Sequence, residues 1–193
     1  MLSPTELSMV QDTDWLLTKN AIIEKAKSLF GRLAASLQQK IEDKKENLPH
    51  TVHLFSPKIS KGEYYQGLPY VMLDYPRVFS KDEVLAMRTM FWWGNFFSIT
   101  LQLKGEYQQL YAPVLMQNKD QLIENGFYVS ISTDEWRHDF DAGNYELMNT
   151  DNLDKALRGA FVKIAVQVPL SEWNDAERLI RKHQHDVIKM LTS

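Results

Sequence analysis

Phe91-Trp92-Trp93-Gly94-Asn95-Phe96-Phe97-Ser98-Ile99-Thr100-Leu101-Gln102-Leu103-Lys104 decides the fold class. Phe91, Trp93, Asn95, Phe97, Ile99, Leu101 and Leu103 share one parity, while Ser98, Thr100, Gln102 and Lys104 share the other. That period of two marks a strand with one buried face. The stretch reads as one continuous strand closed by Gly105. Its first half is aromatic on both parities, so Trp92 and Phe96 point away from the core face unless a bulge at Gly94 resets the register. They need a cover of their own, and the N-terminal helix is the expected one.

Upstream, Leu16, Ile23, Ala26, Phe30, Leu33, Leu37 and Ile41 recur at spacings of three and four, which predicts one long amphipathic helix from about Trp15 to Glu46. Ser3-Pro4-Thr5-Glu6 is a capping box for a short helix ahead of it, and Thr13 or Asp14 is the expected cap of the long one. After Pro49 the period changes. Strands are expected at Thr51 to Phe55 and at Tyr70 to Tyr75, the second stopped by Pro76, with a polar loop from Ser56 to Pro69 between them. Ser80-Lys-Asp-Glu83 predicts a second capping box and a short helix through Met87.

Downstream, Glu106 to Asn125 holds helical pieces broken by Pro113, and Phe127 to Ile131 alternates as a strand. Thr133 to Thr150 reads as a polar loop, Leu153 to Leu157 as a turn or two of helix, and Val162 to Val168 as a strand ended by Pro169. Ser171 is the expected cap of a last helix with the stripe Trp173, Ala176, Ile180, His183, Val187 and Met190. These elements predict one α+β domain over residues 1–193. An antiparallel or mixed sheet of about five strands occupies 50–168, between a helical segment (1–48) and a C-terminal helix (171–192).

The chain has 193 residues, a formal net charge of −3 and no cysteine, which excludes disulfides and cysteine nucleophiles. Charges of both signs are interspersed without a basic stripe, so nucleic acid is not an expected partner. No apolar run reaches membrane-spanning length and the N-terminus lacks signal-peptide character, so a soluble, cytoplasmic protein is expected. Walker, G-x-G-x-x-G, G-x-S-x-G and H-E-x-x-H patterns are missing, and no cofactor is expected. The histidine spacings (His50/His53, His183/His185) do not suit a shared ion, so no metal site is assigned.

Nearly half of the aromatic residues fall between Tyr64 and Phe97, with Asp74, Arg77 and Arg88 set among them. Charges inside aromatic density need partners if buried, and cations beside rings can present themselves to an anionic or planar ligand. The candidate ligand-binding residues are Lys61, Tyr64, Tyr65, Asp74, Arg77, Arg88, Trp92 and Phe96. Packing offers the competing account, with Asp74 paired to Arg77 or Arg88 inside an aromatic core. A weaker candidate is the cluster Glu135-Trp-Arg-His-Asp-Phe-Asp141, where His138 with Asp139 or Asp141 could form the acid/base pair of a hydrolase or isomerase. The leading expectation is a non-catalytic module that binds a small anionic or aromatic ligand or a protein partner. A homodimer through the aromatic face is the alternative.

Overall fold

Capping starts the chain in the computed structural model, which describes residues 1–193. Ser3 Oγ accepts from Glu6 N at 3.3 Å and Glu6 Oε2 accepts from Ser3 N at 2.7 Å, closing the expected box on α1 (Pro4–Gln11). Asp12, one residue earlier than expected, caps α2 (Thr13–Glu42), its Oδ1 accepting from Trp15 N at 2.9 Å. From Ile23 onward the apolar stripe of α2 is buried, with Phe30 and Leu37 fully enclosed.

Several expectations for the middle of the chain are overturned. Thr51 to Phe55 is not a strand; His50–Leu54 forms a 3-10 turn. The expected loop 56 to 69 holds β1 (Lys58–Tyr65), which turns through Gln66 and Gly67 into β2 (Leu68–Phe79). Both turn residues have positive φ (48° and 79°), the handedness that suits a two-residue hairpin. Pro76 does not stop β2, because the strand passes it with a register shift between Asp74 and Arg77. Ser80 makes its expected contact, accepting from Glu83 N at 2.9 Å, but the chain then enters β3 (Val84–Trp92) and not a helix. Trp93, Gly94 and Asn95 form a turn, so the aromatic stretch is a hairpin of β3 and β4 (Phe96–Lys104) and not one strand. The parity survives because the turn is centred on Gly94. Phe91 faces Phe97 and Trp92 faces Phe96, each pair on one side of the sheet.

Beyond Gly105, α3 (Glu106–Gln117) accommodates Pro113, and the helical stretch breaks instead at Asn118, before α4 (Lys119–Glu124). Next come β5 (Tyr128–Ser130) and β6 (Tyr145–Leu147), the latter inside the expected loop, then α5 (Thr150–Leu157) and β7 (Val162–Pro169). Leu170–Asp175 is a 3-10 turn leading into α6 (Ala176–Leu191), which has no side-chain cap, so Ser171 does not cap it. The class is the expected α+β, with seven antiparallel strands where about five were expected, in the order β1-β2-β3-β4-β7-β5-β6.

One face of that sheet carries the main core. Val71, Leu73, Phe91, Phe97, Ile99, Leu101, Ile164 and Val166 meet α2, α3, α5 and α6 there, with Phe30 against Phe97 at 6.5 Å. Trp92 and Phe96 project to the other face, as their parity predicts, where Met72, Met90, Tyr65 and Tyr70 pack with them. The N-terminal helix does not cover this face. The sheet's own β1–β2 hairpin and the segment 131–144 do.

Candidate functional site

Alternate residues of six strands assemble a polar row on the face away from the helices. Register places Asp74 of β2 opposite Arg88 of β3, Arg88 opposite Thr100 of β4, and Thr100 opposite Ala165 of β7. Gln102 lies beside Lys163, and Ser130 beside Tyr145. The segment 131–144 crosses over this row and is fastened to it at several points.

The Arg88 guanidinium forks onto Asp74, Nε to Oδ1 at 2.7 Å and Nη2 to Oδ2 at 3.3 Å, while Nη1 donates to His138 Nε2 at 2.9 Å. Guanidinium has no acceptor, so this bond makes Nε2 of His138 the unprotonated nitrogen. Burial, then the nearby Arg88 and Lys163 cations, push the His138 pKa well below its ordinary value. Asp139 does not pair with it. Its carboxylate serves Arg137 at 2.6 Å and Tyr65 OH at 3.0 Å, and although burial opposes ionisation, these two bonds hold its pKa below the usual range. The Tyr65 hydroxyl also accepts from the N–H groups of His138 (2.6 Å) and Asp139 (3.1 Å).

Two further fastenings come from residues that carried no motif in the sequence. Lys163 has no exposed surface; its ammonium donates to the carbonyls of Glu135 (3.0 Å) and Arg137 (2.5 Å), and burial takes its pKa down to about 7. Glu135 receives Gln102 Nε2 at 2.9 Å and Lys104 Nζ at 3.0 Å. Phe140 inserts between the rings of Phe96 (5.1 Å), Tyr128 (5.0 Å) and Tyr145 (4.5 Å). The signal for Lys163 was present as a lone lysine inside the apolar run Val162 to Val168. The cover showed in the sequence only as the titratable cluster Glu135 to Asp141, with nothing local to say that it packs on the sheet.

Of the expected ligand-binding set, Tyr65, Asp74, Arg88, Trp92 and Phe96 do come together, and Trp92 donates its indole N–H to Tyr65 O at 3.2 Å. Lys61 and Tyr64 stand exposed on β1, outside the group. Arg77 points elsewhere, donating to Ser56 O at 2.6 Å with its guanidinium over Phe55. Of the pairings weighed from sequence, Asp74 takes Arg88. Trp92 is 4% exposed and His138 8%, while Tyr65, Arg88 and Phe96 are half-buried, so the chain itself covers the centre of the group. The acid/base pair does not form either: the Nε2 lone pair of His138 is engaged by Arg88, and Asp141 is exposed and supplies only its N–H to Asp139. Chemically, the arrangement latches 131–144 to the sheet. Tyr65→Phe leaves two buried N–H groups and Asp139 short of a partner, and should cost about 1–3 kcal/mol. Urea melts measure it, and an unchanged midpoint would show the latch holding without that hydroxyl.

The uncovered apolar surface lies near the N-terminus. Every residue from Met1 to Thr18 is exposed, including Leu2, Leu7, Met9, Val10 (70%), Trp15, Leu16 and Leu17 (64%). α1 buries nothing. The stripe of α2 that the sheet covers from Ile23 onward continues at helical spacing to Leu16 and Trp15 with nothing beneath it. Lys19, held to Glu63 of β1 at 2.6 Å, marks where the helix leaves the body of the protein. No helix of the chain is long and apolar enough to cross a membrane. No protein-family model matches the chain, and neither the curated proteins nor the solved structures contain a match that would place it in a family.

Proposed function

We propose that this chain is a non-catalytic binding protein that docks a protein partner through its N-terminal arm, residues 1–18. One observation supports the reading above others: a capped, helical arm keeps eight large apolar side chains, Met1 among them, in solvent while the rest of the chain buries most of its own. A helix of eight residues is marginal alone in water, and apolar surface of this extent costs free energy until something covers it. Glu6, Asp12 and Asp14 are the arm's only charged side chains, which disfavours the anionic lipid surface that basic amphipathic helices seek. The expected small-molecule site at Tyr65, Arg88 and Trp92 is the weaker reading, because the segment 131–144 already occupies that face. The same enclosure weakens a homodimer through Trp92.

Site-specific photo-crosslinking in the native host tests the proposal. A photoreactive residue at Val10 or Leu17 should give a discrete protein adduct, and one at Leu110, also exposed but remote on α3, should not. No adduct from the arm, or the same adduct from Leu110, overturns it.

A further inference from the structure

We infer that the segment 131–144 is an acid-released cover: mild acidification frees it from the sheet while the rest of the chain stays folded. The bond that decides this joins two groups of which one can only donate. His138 Nε2 accepts from Arg88 Nη1 at 2.9 Å, and a guanidinium has no acceptor to offer in exchange. A proton on Nε2 therefore sets two N–H groups against each other at that distance. Arg88 is not free to turn away, because its Nε and Nη2 are forked onto Asp74 of β2. The other titratable groups around the ring give no relief. Tyr65 of β1 packs on it at 5.6 Å, Tyr145 of β6 and Lys163 of β7 belong to the same row, and Arg137 and Asp139 flank it in the chain. Both carboxylates are already engaged, Asp74 by Arg88 and Asp139 by Arg137 and Tyr65. Burial and then the Arg88 and Lys163 cations oppose a proton on His138, and Asp139 offsets only part of that.

The cover can leave without unzipping the fold. None of residues 131–144 belongs to the apolar core between the sheet and the helices, and from Ser132 to Gly143 the backbone makes no hydrogen bond to the backbone of a strand. Side chains and the inserted ring of Phe140 hold it. Its two ends meet where Ile131 N donates to Asn144 O at 2.8 Å, so the segment is a closed loop on one base. Once out, His138 regains an ordinary pKa of about 6.5. Below that value opening takes up a proton, and the opening constant grows by about tenfold per pH unit. Lys163 is protonated in both states at these pH values, and Asp139 is ionised in both above about 4, so neither adds to the slope between about 4.5 and 6.5. Release uncovers Lys163 and the Asp74–Arg88 pair and withdraws Phe140 from Phe96, Tyr128 and Tyr145.

Amide hydrogen exchange of the full chain, followed by NMR between about pH 7 and 4.5, tests the cover directly. The N–H groups of His138 and Asp139 donate to Tyr65 OH and are protected only while the cover is closed. Corrected for the intrinsic exchange rate, their opening constant should rise by about thirtyfold between neutrality and pH ~5. Ile99 and Leu101, at the centre of the sheet, should keep far smaller opening constants throughout. They also report any effect of His183 and His185, which lie on α6 beyond the sheet and act through the whole fold. In His138→Gln the side-chain carbonyl accepts from Arg88 without titrating, so the acid slope at Asp139 should vanish. Should that variant not fold, the imidazole of the parent serves: the closed state should keep a neutral ring with its proton on Nδ1 below pH ~6.5, and a separate protonated signal should grow in step with the exchange. Opening constants at 138 and 139 equal to those at 99 and 101 would overturn the inference, since the segment then leaves only with the whole fold. An acid slope that persists in His138→Gln, or a ring that protonates near pH ~6.5 with both amides still protected, overturns it as well.

Discussion

Arg88→Ala is expected to lower the unfolding free energy by about 3–5 kcal/mol, since removing one partner of a buried ion pair leaves the other charge uncompensated. Asp74 is 7% exposed and receives both of its side-chain bonds from Arg88. The same substitution takes the donor from His138 Nε2 and the cation from the ring of Phe79, 5.7 Å away. Three contacts from one side chain reach β2, the segment 131–144 and the far end of β2, so the loss should be larger than for any single surface pair. Arg88→Lys should recover only part of it, because an ammonium cannot fork onto a carboxylate and reach an imidazole at once. Replacing both charges, Asp74→Leu with Arg88→Met, should recover more than Arg88→Lys, since no buried charge is then left alone. Urea melts give the free energies, and limited proteolysis within 131–144 reports whether the cover has come loose. A loss under about 1 kcal/mol for Arg88→Ala, with 131–144 still protected, would show that other fastenings hold the segment.

Legibility in the sequence divides along a physical line. The face assignments of Trp92, Phe96, Phe97 and Ile99 came from parity alone, and parity is local. Ser3 and Glu6 closed their box because capping also needs only neighbouring residues. β1 was missed because it is an edge strand with little buried on either side, so Lys58 to Tyr65 shows no period of two. Ser80 to Glu83 misled for a different reason: a serine that accepts from the N–H three residues on is common to helix starts and to turns, and the apolar run beginning at Val84 was the better guide. The candidate site was half legible. Buried charge near Asp74 and Arg88 was foreseen, but the third partner, His138, lies fifty residues from Arg88 in sequence. No spacing rule could join it to them. The arm was not legible: Leu16 reads as the start of the stripe that the sheet covers, and only the structure shows that the covered part begins at Ile23.

The stability of this protein should rise with pH above neutrality, and Lys163→Met should remove that rise. The ammonium of Lys163 titrates near 7 in the folded chain and near 10.5 in the unfolded one. Between those values the unfolded state holds a proton that the folded state has released, so stability climbs with pH, by up to ~1.4 kcal/mol per pH unit. Below 7 both states are protonated and the full cost of burying the charge is present. Neutral Lys163 keeps two N–H donors for the carbonyls of Glu135 and Arg137, so the latch need not open as the proton leaves. The climb ends near pH ~10, where phenols ionise in the unfolded chain. Burial raises the pKa of Tyr65, Tyr75, Tyr111 and Tyr145, so stability declines as pH rises past that point. On the acid side, His138, His183 and His185 all have lowered pKa values, chiefly through burial, and stability falls as the unfolded histidines take up protons below about 6.5. Urea melts from about pH 5 to 10 should therefore trace a curve that rises through neutrality and turns over at its alkaline end. In Lys163→Met the acid limb should remain and the segment above pH ~7 should flatten. A parent curve already flat between about 7 and 9 would mean that folded Lys163 keeps its proton there, against what its burial implies, and a variant that keeps the parent's slope would assign the rise to another group.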